Sequence, residues 1–182
     1  MRKIVFLAGA LALGLTMAGV VGSGLPAAHA QSGVGSGNTG GSVAFVREAG
    51  NAGEFEVQSG RMALERSQQS GVRGYAAQTV KDASEMLNRV KFINNANVSA
   101  SMPGGVNANQ QAELNRLASL SGPDFDREYM RSQVTVSQYM ANFFRGYGAT
   151  GESETLRTYA AKAATDYDAQ VEKARTIAGS LQ

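Results

Sequence analysis

The strongest constraint on the fold is a periodic pattern of small and apolar side chains that runs from residue 43 to residue 178. These side chains recur at steps of three and four residues, which is the spacing of one face of an α-helix. The clearest run lies in residues 71–96 and consists of Val72, Ala76, Thr79, Ala83, Met86, Val90 and Ile93. Because the run covers one face only, it predicts a helix that packs that face against its neighbours.

The same pattern predicts five helices and an all-α fold. Pro103 and Pro123 are the only prolines after residue 43, and both lie between periodic segments. The predicted helices span roughly residues 43–69, 71–96, 107–120, 123–147 and 152–178. Asn107 and Ser121 stand where residues that cap helix N-termini are expected. Four long helices and one short one predict an antiparallel four-helix bundle with an extra short helix.

The N-terminus has the features of a Sec-type signal peptide. A basic start at residues 2–3 precedes an apolar stretch at residues 4–21, and Ala-His-Ala at residues 28–30 matches a cleavage site. We expect cleavage after Ala30 and a periplasmic or secreted protein without a transmembrane span; the alternative is a retained N-terminal anchor. The expected organisation is a signal peptide over residues 1–30, a Gly/Ser-rich flexible tether over 31–42 and a helical domain over 43–182.

The charge of the mature chain argues against nucleic acid as a partner. The full chain has 17 Lys and Arg residues and 15 Asp and Glu residues, but Arg2 and Lys3 belong to the predicted signal peptide. Cleavage would leave 15 basic and 15 acidic residues. A neutral chain lacks the excess positive charge on which nucleic-acid binding and strong binding to anionic lipid depend.

The chain contains no Cys, and its single His, His29, lies in the predicted signal peptide. Disulfides, Cys nucleophiles, Ser-His-Asp triads and His-based zinc sites are therefore excluded from the mature protein. Residues 146–151 match the pattern G-x-G-x-x-G, but a dinucleotide site requires a strand before this motif, and here a helix is predicted. We interpret the segment as a turn and expect a non-enzymatic protein that needs no cofactor or metal.

Four polar residues near the inner faces of the predicted helices are candidates for ligand binding. Gln170 lies at the centre of an otherwise apolar stripe, where a buried amide needs hydrogen-bond partners. It could pair with Ser137 or a Tyr hydroxyl, or it could line a small pocket. Glu56 and Asp82 are predicted at the flanks of their stripes. A site in which only carboxylates bind a metal would draw on Glu56, Asp82, Glu85, Asp126 and Asp168.

Residues 114–130 read LNRLASLSGPDFDREYM. This segment resembles the Leu-x-x-Leu-Ser-Gly-x-x-Phe-Asp-Arg-x-Tyr-Met signature of the domain-of-unknown-function 4142 family, and Glu56-Val57-x-x-Gly60 is similar to a second element of that family. The resemblance implies an exported, ferritin-like helical bundle. The family pattern has His at three places where this chain has Ala83, Ser137 and Gln170, so a metal or acid–base role of those histidines does not extend to it.

These observations favour a non-enzymatic exported bundle that acts as a binding or envelope-associated module. Its partner would be an unidentified envelope component or a small ligand. The alternative is a metal-binding ferritin-like protein or enzyme that uses carboxylates and Tyr. A third hypothesis is a small-molecule carrier with a core pocket near Gln170.

Overall fold

The computed structural model describes residues 41–182. The predicted signal peptide and all but the last two residues of the predicted tether lie outside this range, so those boundaries stay predictions. Five helices make up the described part of the chain, with no strand among residues 41–182. They are α1 (Ser42–Arg66), α2 (Ser70–Asn97), α3 (Ala108–Ser119), α4 (Gly122–Thr150) and α5 (Glu154–Ser180). The prediction of an all-α fold is confirmed.

The four long helices pack side by side, with the short α3 alongside. The closest pairs are α4 with α5 and α1 with α2; each pair is joined by a loop of three residues and is therefore antiparallel. Helix α1 also packs on α3 and α4, whereas α2 and α5 meet over a short length only. No helix within residues 41–182 is both long and apolar enough to cross a bilayer.

Close approach of α1 to α2 depends on glycine. A Cβ atom at Gly53 would lie 2.7 Å from side-chain atoms of Leu87 and Met86, and one at Gly60 would lie 2.7 Å from Val80 Cγ2. Because contacts this short do not occur between packed side chains, a larger residue at either position would displace the neighbouring side chains of α2. The glycines of α1 thus allow α2 to pack closely against it.

Helix ends agree with the sequence in part. Asn107 and Gln110 form the reciprocal capping box at the start of α3, as predicted. Ser121 is the N-cap residue of α4, as predicted, but its side chain makes no capping hydrogen bond. The predicted turn at residues 146–151 is wrong, because α4 continues to Thr150. Gly148 lies within the helix, where a Cβ atom would be 3.1 Å from the backbone nitrogen of Ala161. This glycine lets α5 approach α4 closely.

The interior consists of two apolar clusters near opposite ends of the helices. The first is rich in aromatic residues and includes Phe45, Ala49, Val90, Met140, Phe143, Phe144, Tyr147, Leu156, Ala160 and Tyr167. The second is smaller and comprises Ala63, Val72, Tyr75, Ala76, Leu117, Phe125, Tyr129, Met130 and Ala174. Between the two clusters all four long helices contribute buried polar side chains, and the candidate site lies there.

Candidate functional site

A layer of polar side chains crosses the bundle between the two apolar clusters; we call it the polar layer. Its members are Glu56, Ser59, Tyr75, Thr79, Tyr129, Gln133, Ser137, Tyr167 and Gln170. All except Gln170 are buried, and Gln170 is half-buried with a buried amide oxygen. Buried polar groups are normally hydrogen-bonded, because an unpaired one loses its hydration without compensation. The hydrogen bonds within this layer therefore show which of its buried polar atoms have no partner.

Glu56 carries the only carboxylate of the polar layer, and its side chain is 1% exposed. The hydroxyl of Tyr167 donates a hydrogen bond of 2.6 Å to Glu56 Oε2, while Glu56 Oε1 has no partner. Burial raises the pKa of Glu56 from the ordinary 4.5 to about 7; the hydrogen bond from Tyr167 opposes the shift and the charge of Asp82 adds to it. Glu56 therefore changes its charge near neutral pH.

The remaining contacts of the layer leave several oxygen atoms unpaired. Tyr75 and Ser137 share a hydrogen bond of 3.4 Å, and Gln133 Nε2 donates to Ser59 Oγ at 3.1 Å. The unpartnered buried atoms are Glu56 Oε1, Tyr129 Oη, Gln133 Oε1 and Gln170 Oε1. The amide oxygens of Gln133 and Gln170 can only accept hydrogen bonds, and so can Glu56 Oε1 when the carboxyl is ionised, so the layer then has more unpartnered acceptors than donors.

A groove of about 1120 Å³ separates α2 from α5 and opens the polar layer to the outside. Its walls include five residues at or next to the layer, namely Tyr75, Thr79, Asp82, Tyr167 and Gln170. Farther along, Met86, Ile93 and Ala163 give it an apolar surface. Its charged lining residues are of both signs: Asp82, Glu85, Arg89, Glu154, Lys162, Asp166 and Lys173. The groove exists because α2 and α5 touch over a short length only.

The match to known proteins covers most of the chain. A family model described as "Domain of unknown function (DUF4142)" matches residues 26–177. The chain belongs to the DUF4142 family. No curated protein matches it. A solved structure described as "CopM in the Cu(II)-bound form" has a TM-score of 0.67 over 78% of this chain and 98% of that chain. At 14% identity, this likeness concerns the fold alone.

This DUF4142 member has a methyl group, a hydroxyl and an amide at the three positions where the resemblance implied histidines. Ala83 is 2% exposed, Ser137 is buried against Tyr75, and Gln170 lines the groove. The prediction that Ala83 faces the interior is confirmed. Within residues 41–182, no three carboxylate, imidazole or thiolate side chains converge. The donor set does not fit a transition metal, which prefers imidazole or thiolate.

The predicted ligand residues come together in part. Glu56 was expected at the flank of its stripe, which is wrong: α1 packs on α2, α3 and α4, so more than one of its faces is buried. Asp82 is half-buried and accepts a hydrogen bond from Gln78, as a flank position implies. Gln170 bonds neither to Ser137 nor to a Tyr hydroxyl through its amide oxygen, and it lines the groove.

The other carboxylates that were candidates for a metal site lie outside the polar layer. Glu85 and Asp168 are exposed and pair with Lys81 and Arg145. Asp126 is buried with one oxygen unpartnered, but it does not line the groove. The sequence did not single out Gln133, because α4 has one apolar stripe through Phe125, Tyr129 and Met140 and a second through Met130, Val134 and Ala141, and Gln133 lies between them. Its burial follows from α4 packing on both α1 and α5.

Proposed function

We propose that the protein is a non-enzymatic, exported binding module that takes a small molecule into the groove between α2 and α5. One observation carries this proposal: the groove is lined by Gln170, whose buried amide oxygen has no hydrogen-bond partner, and by Tyr167, which is hydrogen-bonded to the buried Glu56. A volume of about 1120 Å³ is ample for a small organic molecule. An unpartnered buried acceptor is costly unless something donates to it, and a ligand in the groove would donate to Gln170.

A binding role is favoured over catalysis by the chemistry around Glu56. A pKa of about 7 would suit a general base. However, Glu56 does not line the groove, and one of its oxygens is occupied by Tyr167. The mature chain has no Cys or His to serve as a nucleophile or proton shuttle. The role that we assign to Glu56 is therefore electrostatic: its carboxylate lies behind Tyr167 and does not contact the ligand.

A bulky side chain introduced into the groove tests whether ligands bind there. Thr158 and Thr176 are both exposed on α5, and each donates a hydrogen bond to the carbonyl four residues earlier, but only Thr158 lines the groove. We expect Thr158→Trp to weaken binding of the neutral fluorophore N-phenyl-1-naphthylamine at least about tenfold, since the indole occupies the site. Thr176→Trp is the matched control and should bind like the parent protein. Equal binding by both variants would remove the groove from consideration.

Export is the second part of the proposal. The basic start, the apolar stretch and Ala-His-Ala at residues 28–30 support a signal peptide that is cleaved after Ala30. The mature protein would be periplasmic or secreted. Intact-mass measurement of the protein recovered from the cell envelope should give a chain that begins at Gln31. A stable native species that retains residues 1–30 would instead support the anchor.

A further inference from the structure

We infer that the ligand of the α2–α5 groove is an organic ammonium compound, with its apolar body along the groove and its charged nitrogen at the polar layer. This inference rests on the groove being a ligand site, as proposed above. It deepens that proposal by naming the chemistry that the site recognises.

The first argument is the surplus of acceptors. Gln170 Oε1 is buried without a donor and belongs to a residue that lines the groove, while Glu56 Oε1 and Gln133 Oε1, which also have no donor, lie behind the groove wall. Within residues 41–182, no Lys or Arg side chain is buried, so the protein supplies no cation to this layer. A primary ammonium group brings three N–H donors and a positive charge, and it has no acceptor that would need a partner. It therefore supplies the positive charge that the polar layer lacks, together with donors for the unpartnered oxygen at the groove wall.

The second argument is how the groove meets the layer. Tyr167 lines the groove and donates its proton to Glu56, so the lone pairs of its hydroxyl stay available to accept from a ligand. Ionised Glu56 polarises that hydroxyl and makes it a better acceptor. Gln170 offers a further oxygen atom on the same wall, and Tyr75 offers one on the opposite wall formed by α2. Asp82 adds a carboxylate that lines the groove directly.

The third argument is the body of the ligand. Beyond the polar layer the groove is lined by Met86, Ile93, Tyr159 and Ala163, which suit an alkyl chain or an aromatic ring. A Tyr face also attracts a cation. A bare metal ion would leave this apolar length unused. An anion with the same body would meet the charges of Asp82 and Glu56 at its head.

The charge of Glu56 makes binding depend on pH. Buried beside Tyr75, Tyr129 and Tyr167, with Asp82 across from it on α2, Glu56 has a pKa raised to about 7. The other ionisable side chains that line the groove are Glu85 and Arg89 of α2 and Glu154, Tyr159, Lys162, Asp166 and Lys173 of α5. An ammonium favours the ionised carboxylate. The fraction of ionised Glu56 rises about tenfold from pH 6 to pH 8, and affinity rises with it by up to that factor.

The experiment compares three ligands with one body. Octylamine, 1-octanol and octanoate are titrated calorimetrically into the exported protein at pH 6 and pH 8. Octylamine is protonated at both values, as a Lys side chain is. We expect octylamine to bind at least about tenfold more tightly than octanol at pH 8, and octanoate to bind least. Equal affinity of octanol and octylamine, or tighter binding of octanoate, would overturn the inference.

Variants of single residues test which carboxylate interacts with the ammonium group of the ligand. Glu56→Gln keeps the shape of the side chain, and it should abolish the pH dependence and lower octylamine affinity at pH 8 about tenfold. Glu172→Gln removes an exposed carboxylate of α5 that does not line the groove, and it should change affinity less than about twofold. Tyr167→Phe, which removes the hydroxyl between ligand and carboxylate, should also weaken octylamine. If Glu56→Gln binds octylamine with the parent pH profile, the inference fails.

The two proposals fail in different ways. If Thr158→Trp blocks the neutral fluorophore but octylamine does not compete with that fluorophore, the groove is a ligand site and the ammonium inference is wrong. If Thr158→Trp binds both the fluorophore and octylamine as tightly as the parent protein, the groove is not a ligand site, and both proposals fall.

Discussion

The first apolar cluster and the polar layer are neighbours in the bundle; they share Tyr167 and are buried to a similar degree. In the cluster, the ring of Phe144 packs against four other aromatic rings and has no polar atom that needs a hydrogen-bond partner. In the layer, Glu56 is as deeply buried but has one oxygen without a partner. Burial of equal depth thus stabilises one region and costs stability in the other.

This difference indicates what each region is for. Apolar clusters at both ends of the bundle can hold the helices together without help from the middle. A polar middle layer that lowers stability is retained where it serves a purpose, which here we propose to be ligand recognition. Stability is commonly given up at functional sites in this way. The predictions below test the contrast between the two regions.

The largest effect is expected in the first cluster. Phe144→Ala should lower the free energy of unfolding by about 4 kcal/mol, because it removes a ring that packs on Phe45, Phe143, Tyr159 and Tyr167 and leaves a cavity. Urea denaturation measures the loss. The control Phe92→Ala removes a ring that is 67% exposed and should cost less than about 1 kcal/mol. Similar losses in the two variants would mean that the cluster does not hold the bundle.

The next effect concerns the border of the polar layer on α2. Ala83→Asp should destabilise the protein by about 3 kcal/mol, because Ala83 is 2% exposed and no buried cation is available to pair with the new carboxylate. The adjacent Asp82→Asn should change stability by less than about 1 kcal/mol, since Asp82 is half-buried and Gln78 can stay its partner. Denaturant midpoints of the pair decide the matter. Equal small shifts would contradict the burial of Ala83.

A smaller effect should appear as a pH dependence of stability. The pKa of Glu56 is about 7 in the folded protein and near 4.5 when unfolded, so the folded state holds the proton more tightly. Its contribution is therefore complete below about pH 4.5 and is lost as pH rises through 7. Relative to Glu56→Gln, the parent protein should lose roughly 2 kcal/mol between pH 5 and pH 8. Urea titrations across this range measure it, with Glu85→Gln as the control that should follow the parent. Parallel curves for the parent and Glu56→Gln would show that Glu56 does not titrate here.

The helices and the phase of α2 could be predicted from the sequence, and the state of Glu56 could not. The α2 stripe is strictly periodic, so Ala83 was placed correctly. On α1 the glycines make the apolar pattern less regular, and that pattern predicts Glu56 at a flank. The helix has three neighbours and buries more than one face, so Glu56 is buried instead. Gly146 and Gly148 gave a turn signal, but packing of Gly148 on Ala161 overrode it. The groove itself depends on how far α2 and α5 stand apart, which periodicity does not encode.

The smallest expected effect is that of transition metals. Fe(II), Mn(II), Zn(II) and Cu(II) prefer imidazole or thiolate ligands, or several carboxylates together. The polar layer offers one carboxylate, and Ala83, Ser137 and Gln170 stand where the resemblance implied histidines. Even with Asp82 included, a divalent ion would have at most two carboxylates. We therefore expect calorimetric titration of untagged protein to show no site tighter than micromolar for any of the four ions, and no shift in urea midpoint on adding them. A stoichiometric site that is lost in both Glu56→Gln and Asp82→Asn would contradict this and would make the polar layer a metal site. Octylamine binding that survives in the presence of these ions would instead assign the layer to an organic cation.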